Sequence, residues 1–189
     1  MKQLQIPLFL HDIFGERQSL ASIMTILLSG GLLTATLYVI FPGLTDNLPL
    51  WRTLLALLFI FDIFSGCIAN FTASTSNFYA ARKKNRIVFI TIHFHIVLVA
   101  LLLGTDIWYS IGVWAYTITG AFIVNALIGK RSQLFVAGVL LSIALGGIPL
   151  LPDIQPYMQT IYLLFVLKVL FSFAVDHYSK AITNIGDEA

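Results

Sequence analysis

Charge is the scarcest commodity in this chain: Asp, Glu, Lys and Arg make up 11% of its 189 residues, against about a quarter in an ordinary soluble domain. A fold in water needs polar surface to cover its core, and this sequence has too little for that. The net charge of +2 is too small to argue for nucleic acid as a partner. A single cysteine, Cys67, excludes an internal disulfide and reads as a small packing residue within an apolar segment. There is no Ser/Gly-rich linker, charge block, low-complexity run or internal repeat, so one domain is expected. The first 18 residues are interrupted by Pro7, His11, Asp12, Glu16 and Arg17, which excludes a secretory h-region there.

What is present is apolar length. The chain is 58% hydrophobic with a mean hydropathy of +0.90. A spanning helix needs about 20 mostly apolar residues. Windows of that kind run Ser19–Phe41, Leu48–Phe71, Ile87–Leu103, Ile107–Ile128, Leu134–Leu151 and Tyr157–Val175. Phe41-Pro42-Gly43, Gly104-Thr105-Asp106 and the pair Pro149 and Pro152 punctuate them. Helices are expected rather than strands, because in lipid each backbone group must bond within its own segment. The fold class is therefore an all-α integral membrane protein with six transmembrane helices and short loops. The third window is short and the fifth carries Gly146, Gly147 and Pro149, so a bent or partly re-entrant segment is an alternative at one of the two.

Lys and Arg set the orientation. Arg82, Lys83, Lys84 and Arg86 follow the second span, Lys130 and Arg131 follow the fourth, Lys180 follows the sixth, and Lys2 and Arg17 precede the first. The remaining loops hold Asp46, Asp106 and Asp153, with Arg52 near the entry to the second span. With six spans the basic segments share one face, and the positive-inside rule places both termini in the cytoplasm of a cell-membrane protein. Leu4, Ile6, Leu8, Phe9, Leu10, Ile13 and Phe14 suit either a short amphipathic segment along the interface or a partly ordered tail. Trp51, Trp108 and Tyr109 fall where amphipathic aromatics prefer to sit, near the opposite boundary. The sequon Asn70-Phe71-Thr72 falls at the cytoplasmic end, where glycosylation does not act, and is a chance match.

Ionisable groups within a span cost about 2.5–3.5 kcal/mol each on insertion scales, so each calls for an explanation. Asp62, His93, His95 and Lys168 are such groups, with Asn70, Asn125, Asp176 and His177 nearer the span ends. At 1.5 Å rise per residue, Asp62, His95 and Lys168 lie about 13, 12 and 11 Å from the basic boundary, a shared depth on three helices. Asp62, Ser65, Gly66 and Asn70 follow i, i+3, i+4, i+8 spacing and predict one polar, small-residue face. That face suits the wall of a pathway or the contact between helices equally well. Lys168 either snorkels along its own helix or pairs with Asp62. His93 and His95 point about 200° apart on a helix and cannot easily grip one ion, so a metal site would have to borrow ligands such as Asp62 and His177. No metal-ligand frame, nucleophile elbow, phosphate-binding glycine loop or paired carboxylates are present, and neither a cofactor nor a catalytic set is expected.

Three classes of function remain. The first is a protein that binds or passes a small solute, ion or proton through a cytoplasm-facing polar cleft lined by Asp62, Ser65, Asn70, His93, His95 and Lys168. A pH dependence near 6–7 would then follow from His95 as proton relay. The second is a structural or regulatory subunit whose partner is another membrane subunit or a second copy of the chain. The third is a membrane-embedded enzyme acting on lipid. In size and layout only, six spans in under 200 residues resembles the substrate-binding subunits of energy-coupling-factor vitamin transporters. Ala21, Thr25 and Ser29 form a loose version of their small residues spaced by four on the first helix.

Overall fold

A computed structural model describes residues 3–178. Lys2, Lys180 and the C-terminus, used above for orientation, lie outside the described residues. Apart from one short hairpin the fold is helical, with six helices long and apolar enough to span a membrane. The helices are α1 (His11–Phe14), α2 (Leu20–Ile40), α3 (Leu50–Ala69), α4 (Ala73–Ala80), α5 (Lys83–Ile92), α6 (His95–Leu103), α7 (Ile107–Ala126), α8 (Ser132–Gly147) and α9 (Pro156–Val166). The spans are α2, α3, α5 with α6, α7, α8 with the 3₁₀ turn Ile148–Leu150, and α9 continued by a π-helical turn over Leu167–Phe173.

Local chemistry accounts for the boundaries. The Ser19 hydroxyl accepts from the Ser22 amide at 3.0 Å and caps α2, satisfying an N–H that a helix start leaves without a partner. Pro42 ends the same helix, because it cannot donate to the ladder. Gly104, at φ +72°, closes α6 in the left-handed conformation that glycine adopts freely. The sixth span is the centre of the bundle: 56% of its window is buried, against 22% for the first and fifth. Met158, Ile161, Phe165, Val169 and Leu170 pack there with Ile60, Phe64 and Val99.

Two expectations are corrected. The third span begins at Lys83, four residues before the apolar window, so Lys83, Lys84 and Arg86 are helical rather than loop residues. The span is also broken at His93–Phe94, and the bend therefore falls in the third span. Neither Pro nor Gly causes it. His93 Nδ1 bonds the Phe89 carbonyl, the acceptor that the His93 amide would use in a regular helix, and that amide turns instead to Ile90 O. The N-terminal segment is an ordered hairpin rather than a partly ordered tail. Strands β1 (Gln3–Gln5) and β2 (Arg17–Ser19) pair antiparallel, with Leu4 opposite Gln18 and α1 between them. This hairpin is tied to α4 by Thr75 Oγ1 donating to Ile13 O (3.1 Å) and Tyr79 Oη donating to Asp12 O (3.1 Å), and Gln18 Nε2 reaches Thr72 Oγ1 at 3.0 Å. Ile6 and Phe14 are buried against Ile26 and Ala69.

The Glu16–Arg82 ion pair (2.6 Å) and the bonds from Arg86 to Asn125 and from Gln133 to Ala174 draw the basic connections to one end of the bundle. We call this the basic end. Asp46, Asp106 and Asp153 occupy the other.

Candidate functional site

The second span supplies the floor of the site. Asp62, Gly66 and Asn70 recur every four residues, and each step of four turns the face by only about 40°. Ser65, three residues from Asp62, lies about 100° around the helix from Gly66. Its hydroxyl donates to Phe61 O at 2.7 Å, and its Cβ meets Gly30 on α2, where an added Cβ would lie only 2.7 Å away. The structure thus places Ser65 against the first span, away from the polar residues it was grouped with.

Lys168 enters from the sixth span. Its ammonium donates to Asp62 Oδ2 at 2.7 Å and to Asp62 O at 3.1 Å. It reaches them because position 66 has no side chain: a Cβ there would stand 2.6 Å from Lys168 Cε and 2.8 Å from Nζ. The lysine side chain is 3% exposed, whereas that of Asp62 is 45% exposed. Lys168 therefore does not snorkel to the surface.

The π-helical turn that carries Lys168 has its own supports. The Ala174 amide bonds Val169 O, five residues back. The Lys168 carbonyl accepts from Asn70 Nδ2 at 3.3 Å and Ser172 Oγ at 2.9 Å.

The break in the third span delivers the histidines. His95, the first residue of α6, holds Nδ1 3.2 Å from Asp62 Oδ2 without the alignment of a hydrogen bond, and its ring stacks on Phe59. His93 is buried, with its ring 3.8 Å from that of Phe89 and edge-on to His95 at 4.9 Å. Asp62, Lys168, His93, His95 and Asn70 all line one cleft of about 350 Å³. Val88, Phe89 and Ile92 give it an apolar wall, and Asp12, Tyr79 and Lys84 line it toward the basic end. Burial first, and then the neighbouring Asp12 carboxylate, pushes the Tyr79 hydroxyl above its ordinary range, so it stays a proton donor.

Sequence reasoning missed Phe89, on α5, and Asp12 and Tyr79, which gather here only through the hairpin and α4. It also missed that Arg86 is buried. Its Nε donates to Asn125 Oδ1 (2.7 Å), and Nη2 donates to the carbonyls of Phe173 (2.9 Å) and Ala174 (2.7 Å). Gln133 Nε2 adds bonds to Val124 O and Ala174 O. This second cluster spends its donors on the end of the sixth span. His177 stands outside the cleft, with Nε2 3.1 Å from Phe171 O. Among the described residues no group of three or more His, Cys, Asp or Glu is placed to hold a metal ion.

Comparison with protein-family models, with curated proteins and with solved structures finds no match. The reading of this protein rests on its site.

Proposed function

We propose that the protein is a multi-pass protein of the cell membrane, with both termini cytoplasmic, that binds a small solute or ion in this cleft and passes it or a proton onward. The observation that carries the reading is Asp62: a carboxylate well inside a span, held by a buried lysine yet still open to a cavity. Of this pair, Lys168 is buried while the half-exposed Asp62 lines the cleft. The two irregular stretches support it, since broken backbone at membrane depth is tolerated where it lines a cavity. Both the His93–Phe94 break and the π turn abut the cleft. His95, beside the carboxylate, is placed to exchange a proton with it.

The test is native mass spectrometry of the full chain purified from its native membrane, wild type beside Ile92→Trp. The tryptophan enlarges the apolar wall of the cleft without touching its charged groups. A small bound mass present in wild type and lost in the variant is expected. No bound mass, with alanine variants at Asp62 and His95 that lose stability but no activity, would favour the structural-subunit reading. Orientation has its own check: reporters inserted at Ala81 should be cytoplasmic, and those at Asp46 or Asp153 external.

A further inference from the structure

The cleft reading leaves the chemistry of the ligand open, and the bonding around Asp62 narrows it. Lys168 contacts one carboxylate oxygen, Oδ2, and the main-chain oxygen of the same residue. His95 approaches that same Oδ2. Oδ1 accepts no hydrogen bond among the described residues, although an ionised carboxylate has about four lone-pair sites to fill. Asp62, half exposed on the cleft lining, therefore keeps one carboxylate oxygen without a hydrogen-bond partner among the described residues. The buried ammonium, committed to Asp62 and packed over Gly66, offers an incoming anion little.

We propose that the cleft takes an alkylammonium group, with Asp62 Oδ1 as its acceptor and counter-charge. This rests on the cleft being a binding site and names its ligand class. Val88, Phe89 and Ile92 supply an apolar wall for the carbon body. The Asp12 carboxylate on the way in adds a second oxygen acceptor, beside an equally exposed Lys84. A volume of about 350 Å³ suits a compact molecule, since it lies near the lower bound of small-molecule pockets. A free amine and the ammonium headgroup of phosphatidylethanolamine share this chemistry.

The experiment follows the thermal stability of the full chain in phosphatidylcholine nanodiscs during titration with n-butylammonium, butyrate and 1-butanol at matched ionic strength. A saturable rise in Tm with butylammonium alone is expected, because a ligand that binds only the folded state stabilises it. Its apparent affinity should fall at least about tenfold in Ile92→Trp and in the double variant Asp62→Asn/Lys168→Met, which removes the counter-charge without stranding the lysine. Repeating the titration in phosphatidylethanolamine nanodiscs identifies the source: suppression of the butylammonium effect points to the headgroup, and its persistence to a soluble amine. An equal response to butyrate, or a butylammonium response that survives the double variant, overturns the proposal. So does a native bound mass without a basic nitrogen; if that mass is lost in Ile92→Trp, the cleft reading stands and only the ligand class falls.

Discussion

The helix α6 has a charged side chain at each end, and the two are used in opposite ways. At its C-terminus Arg52, reaching over from α3, donates Nε to Leu102 O at 2.8 Å and Nη2 to Leu101 O at 2.7 Å. Those are carbonyls that a helix end leaves without partners, and a cation there also suits the helix dipole. At its N-terminus Asp62 stands beside His95 with Oδ2 bonded to Lys168 and Oδ1 without a hydrogen-bond partner among the described residues, on a side chain that lines the cleft. Charge alone is thus a poor guide to a site in this bundle. Bonding capacity left over after the fold is satisfied separates the two ends. Arg86, with its three acceptors, belongs with Arg52 on the satisfied side.

The largest effect that would break this contrast concerns the ion pair. Asp62→Asn leaves Lys168 charged and buried, and should destabilise by on the order of 3 kcal/mol, the lower bound for breaking a buried pair. Lys168→Met should cost less, because the half-exposed Asp62 retains water. The double variant should recover at least about 1 kcal/mol in a thermal-denaturation cycle, and strict additivity would mean the two side chains are energetically independent. Next in size is Arg86→Leu, which strips the charge-assisted bonds from Asn125, Phe173 and Ala174 and should cost about 1.5–3 kcal/mol. Arg86→Lys should recover little, since an ammonium cannot reproduce the guanidinium fork. Occupancy of the cleft should survive in Arg86→Leu molecules that remain folded; its loss would erase the division between spent and unspent groups.

A glycine pair sharpens the same point at smaller scale. Gly66→Ala pushes against Lys168 and should cost about 1–3 kcal/mol as an overpacked contact. At Gly31 an added Cβ meets nothing within 4 Å among the described residues, so Gly31→Ala should be neutral or stabilise by up to about 1 kcal/mol. The smallest expected effect is a pH dependence at His177. Burial outweighs its bond to Phe171 O and lowers its proton affinity below the ordinary value of 6.5. The unfolded chain then binds the proton more tightly, so this contribution to stability is whole above about pH 6.5 and is lost as the pH falls. His177→Gln should flatten the acid limb of a Tm–pH profile; an unchanged limb would assign it to other groups.

The six apolar helices were legible because a spanning helix needs a long apolar run, which a hydropathy window detects. The break at His93 was not, since it comes from a side chain competing for a carbonyl rather than from Pro or Gly. The shortness of the third window was its only trace. Shared depth brought Asp62, His95 and Lys168 onto one level, and the structure joins them, yet the same spacing argument misplaced Ser65 because i+3 and i+4 diverge around a helix. The burial of Arg86 has no trace in the sequence, because charge at the edge of an apolar run carries no mark of it. In the N-terminal segment, the alternation Gln3-Leu4-Gln5-Ile6 and the turn glycine Gly15 were signals for a hairpin that a search for helical faces passes over.

The π-helical turn over Leu167–Phe173 amounts to one surplus residue in the sixth span. Each helical residue advances the face by about 100°. Winding the same residues as regular α-helix, with none deleted, would swing everything beyond the turn by about that angle. Lys168 could then keep Asp62, but the carbonyls of Phe173 and Ala174 would turn away from Arg86. The insertion acts as a phase adjuster between two charged positions that a uniform helix cannot serve together. Loss of the π turn should therefore disturb the Arg86 contacts more than it disturbs the Asp62–Lys168 pair.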